Sequence, residues 1–155
     1  MAQKVKPIPD GYTNLMPYLI VDGAAKAIDF YKAVFGATER MRMPAPGNRI
    51  GHAELEIGGS VIMLADEHLE INAKSPQRLG GSPVSLMLYV AEVDAVVAKA
   101  VAAGATLERP VADQFYGDRS GSIKDPFGHS WHIATHIEDV SPAELERRAK
   151  EMGKG

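Results

Sequence analysis

Cysteine is absent from the 155-residue chain, which excludes disulfide bonds, thiolate chemistry and cysteine-rich zinc sites. The sequence also lacks a basic run and any apolar run near the roughly 18 residues of a membrane span. A formal net charge of −3 provides no field that would gather nucleic acid or anionic lipid. We therefore expect neither nucleic acid nor a membrane among the partners.

We also expect no secretory signal. The opening stretch, MAQKVKPIPDGY, carries charges but no apolar segment after them, unlike a signal peptide, and we expect a cytoplasmic protein. Apolar residues make up 45% of the chain and charged residues 24%, which is typical of a globular fold. The length suits one domain or two small modules that share a core.

Internal repetition is the strongest feature that is present. Residues 16–21 (MPYLIV) and 85–90 (SLMLYV) both read as strands and stand 69 residues apart. Each runs into an amphipathic helix, predicted at about 24–35 and 93–103. Each helix ends at a Gly-Ala-Thr sequence, glycine being the usual stop signal. A Gly-led strand follows in both halves, so each half is predicted to be one β-α-β-β-β module.

The repeat divides the chain into five segments. They are an N-terminal extension (1–13), a first βαβββ module (14–65), a linker rich in Ser, Gly and Pro (66–83), a second module (84–137) and a C-terminal helix (138–155). The capping box Ser141-Pro-Ala-Glu144 opens this last helix. The predicted fold class is α+β, with curved mixed sheets around a shared cleft.

The two-residue turn at Gly58-Gly59 predicts which side chains share a face. A hairpin of this kind pairs Ile57 with Ser60 and Glu54 with Met63, and side chains alternate along each strand. One face is then wholly apolar and is expected to carry the helix: Ala53, Leu55, Ile57, Ile62 and Leu64. The opposite face is available to a ligand and contains His52, Glu54, Glu56, Val61 and Met63.

The repeat extends this ligand-facing surface to the other strands. The eighth predicted strand (about 129–136) contributes Ser130, His132, Ala134 and His136. The first (16–21) contributes Met16, Tyr18 and Ile20, and the fifth (85–90) contributes Ser85, Met87 and Tyr89. If the two sheets curve toward each other, these residues line a cleft that is part apolar and part polar. Such a mixture is usual in small-molecule sites.

Two short motifs connect this architecture to a known superfamily. Ile28-Asp-Phe-Tyr31 on the first helix and Asp125-Pro-Phe-Gly128 before the last strand resemble the vicinal oxygen chelate superfamily. That superfamily includes glyoxalase I, extradiol dioxygenases, and the bleomycin and fosfomycin resistance proteins. Residues 116–131 are most similar to its glyoxalase-like, PhnB-type branch. The resemblance, over about 15–136, implies the glyoxalase/bleomycin-resistance fold and a homodimer.

Metal-dependent members of the superfamily use His, Gln or Glu ligands on strands one, four, five and eight. Carried through the two motifs, these positions fall on Met16, Met63, Ser85 and His132. Only His132 is a good ligand for Zn²⁺, Ni²⁺ or Fe²⁺, because thioethers suit softer metals. The resemblance therefore implies no usual metal site, and we expect no cofactor. The alternative is a displaced site for Zn, Ni, Mn or Fe formed by His132, Glu54 and His52.

His132 and Glu54 are the candidate catalytic residues. His132 could act as a general base, since imidazole has a reference pKa of about 6.5, or it could be a structural, hydrogen-bonded histidine. Glu54, flanked by His52 and Glu56, could take part in an acid–base pair. Alternatively, these three groups are solvated at a sheet edge or a dimer surface.

The candidate ligand-binding residues each have a simpler interpretation. Tyr18 and Tyr89 either contact a ligand or merely line a cavity. Arg119 either pairs with a ligand carboxylate or phosphate or forms a salt bridge with Asp118 or Asp113. The remaining candidates are Met16, Met63, Met87, Ser85 and Glu56, the methionines adapting to apolar shapes or filling the core.

Three other large side chains are given no binding role. Trp131 is expected to pack beneath the helix, because side chains alternate along strand eight and its neighbours Ser130 and His132 are on the other face. Phe127 is also assigned to packing. His68, in the linker, is expected to be exposed.

Three functions are compatible with these features. The first is a metal-free binder of a small, partly aromatic molecule, as in the resistance proteins. The second is a divalent-metal-dependent lyase, isomerase or dioxygenase, and the third is a non-catalytic interaction protein with a vestigial cleft. The sequence leaves open whether the protein is an enzyme and which ligand it takes.

Overall fold

The computed structural model describes residues 4–153. The first module comprises Tyr18–Val21 (β1), Ala24–Phe35 (α1), Thr38–Ala45 (β2), Arg49–Ile57 (β3) and Ser60–Asp66 (β4). A 3₁₀ turn, Leu69–Ile71, and a short helix, Pro76–Leu79 (α2), follow. The second module comprises Ser85–Tyr89 (β5), Val93–Ala102 (α3), Thr106–Asp113 (β6), Asp118–Lys124 (β7) and Ser130–His136 (β8), and is followed by Pro142–Met152 (α4).

The two modules have the same topology, as the repeat predicts. Their sheet orders are β1-β4-β3-β2 and β5-β8-β7-β6, in which β1–β4 and β5–β8 are parallel pairs and the others antiparallel. The boundary between two compact units falls between Arg78 and Leu79, inside the predicted linker. The α+β class and the duplicated module are confirmed, whereas the shared cleft stays a prediction.

The first strand differs from its prediction. β1 begins at Tyr18, so Met16 lies before the strand rather than on it. The cause is Pro17, which has no N–H to give to the ladder. Its carbonyl still accepts the Met63 amide at 3.0 Å, and regular pairing starts one residue later.

The β3–β4 hairpin has the predicted register. Ile57 pairs with Ser60 and Glu54 with Met63, and Gly58 and Gly59 have φ values of 54° and 86°, as a type I′ turn requires. The apolar face packs against α1 and is almost completely buried: Ala53, Leu55 and Leu64 are 0% exposed and Ile57 and Ile62 are 5% exposed. Each large side chain there contributes about 1.5–3 kcal/mol to stability.

Equivalent residues of the repeat cap the two module helices. Asp66 Oδ1 accepts the backbone N–H groups of Gly23 at 2.9 Å and Ala24 at 2.8 Å. Thr135 occupies the same place in the second module, where its Oγ1 accepts the Val93 N–H at 3.0 Å. The last strand of each module therefore satisfies N–H groups that a helix start leaves free.

The C-terminal helix begins at the predicted capping box. Ser141 Oγ accepts the Glu144 N–H at 3.2 Å, and Pro142 is the first residue of α4. Arg148 fastens this helix to the second module through the Phe115 carbonyl at 3.0 Å and Glu138 at 2.6 Å. Within residues 4–153, no helix is long and apolar enough to cross a membrane.

The residues after β4 are held by a buried carboxylate. Glu67, 5% exposed, accepts hydrogen bonds from Arg78 Nη2 at 2.9 Å and from the Ser75 hydroxyl at 2.7 Å and amide at 3.0 Å. The Arg78 guanidinium, and then Ser75, lower the pKa of Glu67 from 4.5 to about 2. This triad fixes the path of the chain from β4 to α2.

We expect Glu67→Gln to lower the free energy of unfolding by about 1–3 kcal/mol, because buried donors lose a charged acceptor. Since the folded-state pKa of Glu67 is about 2 and the ordinary value 4.5, the contribution is complete above the ordinary value and is lost as the pH falls through the folded-state value. Urea unfolding should show a gap between the two proteins at neutral pH that narrows in acid. Exposed Glu70→Gln is the control, and a gap that is absent at neutral pH contradicts the prediction.

Candidate functional site

Glu54 is the central polar residue on the ligand-facing side of the first module. Its side chain lies on β3 and is only 4% exposed. The carboxylate accepts hydrogen bonds from Tyr12 Oη at 2.5 Å and His52 Nε2 at 2.8 Å. The solvated interpretation is therefore wrong for Glu54, whereas Glu56 is exposed and fits it.

Hydrogen bonds keep Glu54 charged despite its burial. Burial alone would raise the pKa of Glu54, but the hydrogen bonds from His52 and Tyr12 and the nearby Arg40 charge together lower it. An ionised carboxylate can only accept hydrogen bonds, so His52 Nε2 carries a proton. The buried negative charge is thus paired on both of its oxygens.

A second phenol continues this hydrogen-bonded chain. Tyr18 Oη lies 2.8 Å from His52 Nδ1, which gives the order Tyr18–His52–Glu54–Tyr12. Burial, followed by the charge of Glu54, raises the pKa of Tyr18. The two phenols are therefore protonated. The hydrogen bonds connect the buried carboxylate of Glu54 to the Tyr18 hydroxyl, and Tyr18 is 49% exposed.

Tyr12 was missed by the sequence analysis, which placed it in the N-terminal extension. Arg40 holds this tyrosine: the guanidinium carbon lies 4.7 Å from the ring centroid, and Arg40 Nη1 donates to the Gly11 carbonyl at 2.9 Å. Below this segment, Met16, Met63, Tyr12 and Glu54 line a recess of about 500 Å³. No periodicity or motif in the sequence connects Tyr12 to β3.

A larger cavity of about 670 Å³ opens on the same face of the first sheet. Tyr18, Ile20, Ile50 and Ala65 line it from the sheet, and 3₁₀ residues Leu69–Ile71 line it from the linker. Arg49 and His68 are also at its wall. His68 is 57% exposed at its side chain, as predicted, yet it contributes to a cavity that the sequence did not indicate.

The second module also has a polar network on its ligand-facing side. Asp118, 4% exposed, accepts hydrogen bonds from Tyr89 Oη at 2.6 Å and pairs with His136 Nδ1 at 2.8 Å. Burial would raise the pKa of Asp118, but these two hydrogen bonds lower it. The hydrogen bond to Asp118, and then the one to Asp139, raises the pKa of His136. Asp118 is therefore a buried anion that the sequence analysis did not assign to the site.

Among the residues that the structure describes, the His132 side chain has one hydrogen-bond partner. Its Nδ1 lies 2.8 Å from Ser122 Oγ, and the residue is half-buried in the middle strand β8. His132 is on the sheet face opposite to that of buried Trp131 and Ile133, as the alternation predicts, and Ser122 is directly opposite it on β7. Ligand binding at this face stays a prediction. Met87 pairs with His132 on β5 and is 51% exposed, as is Tyr89 at 59%, and Ser85 is exposed as well.

The position proposed for Arg119 requires correction. Arg119 forms ion pairs with Asp94 of α3 at 2.8 Å and Asp113 at 2.9 Å, so its guanidinium is on the helix side of the second sheet and is already occupied. The salt bridge with Asp113 was one of the expected outcomes, but Asp94 was not foreseen. Trp131 is confirmed beneath the helix, 3% exposed, and donates from Nε1 to Asp125 at 2.9 Å.

The donor set does not fit a divalent metal of the kind used in the superfamily. At the positions that correspond to its metal ligands, the chain offers two thioethers, a hydroxyl and a single imidazole, a combination unsuited to borderline divalent ions. In the part of the chain that the structure describes, no three His, Asp or Glu side chains are grouped so that they could hold a metal ion.

The geometry defines a class: duplicated βαβββ proteins with one helix-covered and one polar, ligand-facing side on each sheet. The family model of the Glyoxalase/Bleomycin resistance protein/Dioxygenase superfamily matches residues 11–133. The chain belongs to this superfamily.

The chain is also similar to individual proteins. An uncharacterized protein of Mycobacterium bovis is 40% identical over the full length of both chains. The solved structure of an Arabidopsis thaliana gene product is 30% identical, with a TM-score of 0.63 over 79% of this chain and 98% of that one. A PhnB protein from Bacillus cereus shares the fold, with 19% identity and a TM-score of 0.63 over 79% of this chain and 99% of that chain.

We predict that Tyr12→Phe raises the pKa of Glu54, because one of the hydrogen bonds that lower it is lost while the carboxylate stays buried. The ring and its contact with Arg40 are retained in this variant. Carbon-detected NMR titration of the glutamate carboxyl groups measures the change. Tyr116→Phe, in the second module, is the matched control, and an unchanged Glu54 titration in Tyr12→Phe would disprove the assigned role.

Proposed function

We propose that the protein binds a small, partly aromatic organic molecule on the ligand-facing surface of its first module, without a tightly bound divalent metal. The cavity of about 670 Å³ carries this proposal. Small-molecule sites have volumes of roughly 300–1,000 Å³ and combine apolar walls with a few polar groups. The first module has both properties on one sheet face.

The cavity walls suggest how such a molecule would be held. Ile20, Ile50 and Ala65 provide an apolar surface, and the Tyr18 ring provides an aromatic face. Tyr18 Oη is already oriented by His52, so its hydrogen-bonding direction is set before a ligand arrives. Preorganisation of this kind lowers the entropic cost of binding.

Charged groups at the cavity wall are mostly occupied. Asp66 accepts three backbone N–H groups, including that of Ile50 at 2.8 Å, and Glu67 is paired with Arg78. Arg49 donates to the Glu67 carbonyl at 2.9 Å. Shape and apolar contact, rather than a strong charge, therefore favour a neutral aromatic ligand. On this proposal the protein acts in the cytoplasm, and its partners are the ligand and, as the superfamily resemblance implies, a second copy of the chain.

A fragment screen tests the cavity directly. We expect mono- and bicyclic aromatic fragments such as indole, naphthol and quinoline to shift the backbone NMR signals of residues 18–20, 49–51 and 65–73 saturably. Ile20→Trp should abolish these shifts by filling the cavity, whereas Val101→Trp, on the exposed side of α3, should not. Absence of saturable shifts in the unmodified protein, or their persistence in Ile20→Trp, would refute the cavity as the binding site.

Metal analysis tests the second half of the proposal. Protein purified without chelator or histidine tag should contain Zn, Ni, Mn and Fe far below one equivalent per chain, because the donor set at the superfamily's ligand positions is poor. Stoichiometric metal that disappears in His132→Ala would instead support the metal-dependent lyase, isomerase or dioxygenase. Ser130→Ala, on the same strand, is the control for nonspecific loss.

A further inference from the structure

The second module has a small cavity of its own, about 150 Å³ in volume. We infer that it is an oxyanion site that takes a carboxylate, phosphate or phosphonate group. The polar residues that line it are Arg109, Gln114, Tyr116, Ser120, Ser122 and His132. The inference depends on this module alone and is independent of the cavity in the first module.

The core of the site is a straight row of side chains across the sheet. Met87 is opposite His132, His132 is opposite Ser122, and Ser122 is opposite Arg109. Side chains directly opposite each other have Cβ atoms about 4.5–5.5 Å apart. Three neighbouring strands, β6, β7 and β8, thus place a guanidinium, a hydroxyl and an imidazole side by side on one face, and β5 adds the Met87 thioether.

The electrostatic environment of the cavity favours an anion. No Asp or Glu is among the residues that line it. Within residues 4–153 the Arg109 side chain is exposed and has neither an ion pair nor a side-chain hydrogen bond. Glu108 lines an adjoining pocket with Arg109 and His132 and accepts a hydrogen bond from Ser130 Oγ at 2.8 Å. Asp113 is paired with Arg119, and Asp118 accepts from Tyr89. An arginine fork without a counterion is well suited to carboxylate or phosphate oxygens.

The Ser122–His132 pair supplies a further donor in either arrangement. If Ser122 donates to His132 Nδ1, the neutral imidazole keeps its proton on Nε2. If His132 Nδ1 donates to Ser122, the serine hydroxyl proton is free instead. One donor therefore remains for an anion whichever tautomer is present, and the 2.8 Å contact holds both groups in place.

A β-bulge next to Arg109 supports a functional interpretation. Arg109 pairs with Ser122 and Ala112 with Ser120, so Pro110 and Val111 both face Gly121. A Cβ at Gly121 would lie 2.9 Å from Val111 Cγ2 and 3.1 Å from the Arg109 carbonyl, so the bulge depends on glycine. Bulges of this kind are frequent beside sites because they redirect a side chain.

The size of the cavity is appropriate for an anionic headgroup. One water occupies about 30 Å³ in the liquid, so the space holds an oxyanion with its first waters but not the body of a larger molecule. Such a headgroup alone should bind in about the millimolar range, because few atoms make contact.

The test uses the intact, isotopically labelled protein and three probes: inorganic phosphate, methylphosphonate and acetate. Each is titrated at constant ionic strength while the backbone amides of β6, β7 and β8 are followed by NMR. We expect saturable shifts centred on residues 109, 120–122 and 132 with at least one probe. Binding of phosphate and methylphosphonate alone assigns a tetrahedral dianion, and binding of acetate assigns a carboxylate.

Variants separate a specific site from general charge attraction. Arg109→Gln should weaken binding by about tenfold or more, as expected for loss of a charged hydrogen bond, and Arg109→Lys should be intermediate because it keeps the charge without the fork. Lys99→Gln removes the same charge from α3 and should change nothing. Shifts that are absent for all three probes, that sodium chloride reproduces, or that persist unchanged in Arg109→Gln would overturn the inference.

Discussion

The register of the β3–β4 hairpin decides which side chains the first module can offer to a ligand. Because side chains alternate along a strand, a slip of one residue would place Glu54 beneath α1 and Leu55 in solvent. Gly58 and Gly59 oppose such a slip, since their positive φ values form a type I′ turn, which matches the twist of the strands. In the second module Asp125 has this role, because its carboxylate accepts the amides of Phe127 at 2.9 Å and His129 at 3.0 Å before β8 begins.

This register buries the carboxylate of Glu54, and the buried charge determines which groups must surround it. An unpaired charge inside a protein is strongly unfavourable, so Glu54 requires donors on both oxygens, and Tyr12 and His52 provide them. Those donors fix the imidazole tautomer and, through it, the orientation of Tyr18 at the cavity. In the second module, the buried carboxylate of Asp118 is likewise paired on both oxygens, with Tyr89 and His136 from other strands.

The helices and strands whose apolar residues recur at a regular short spacing were predictable from the sequence. α1 was predicted with its observed bounds, and the apolar set from Ala53 to Leu64 is buried as the alternation required. Tyr12 was not predictable, because it meets Glu54 across 42 residues of chain through a segment without periodicity. Arg109 was not predicted because regular pairing continued from Ala112 and Ser120 would place Pro110 opposite Ser122, whereas the bulge at Pro110 and Val111 places Arg109 there. The position of Arg119 could have been predicted. Side chains alternate along a strand, so Arg119 shares a face with Ile123 on the helix side of the sheet, where it pairs with Asp94.

The N-terminal residues are part of the first module's polar face, although they precede its first strand. They supply a hydrogen-bond donor to Glu54. Arg40 contacts them twice, at the Gly11 carbonyl and at the Tyr12 ring. Recombinant forms that start at β1 would therefore lack part of the first module's polar face. They would leave a charged carboxyl open to water in the middle of the sheet, and their behaviour toward small molecules would report on an altered surface rather than on the native one.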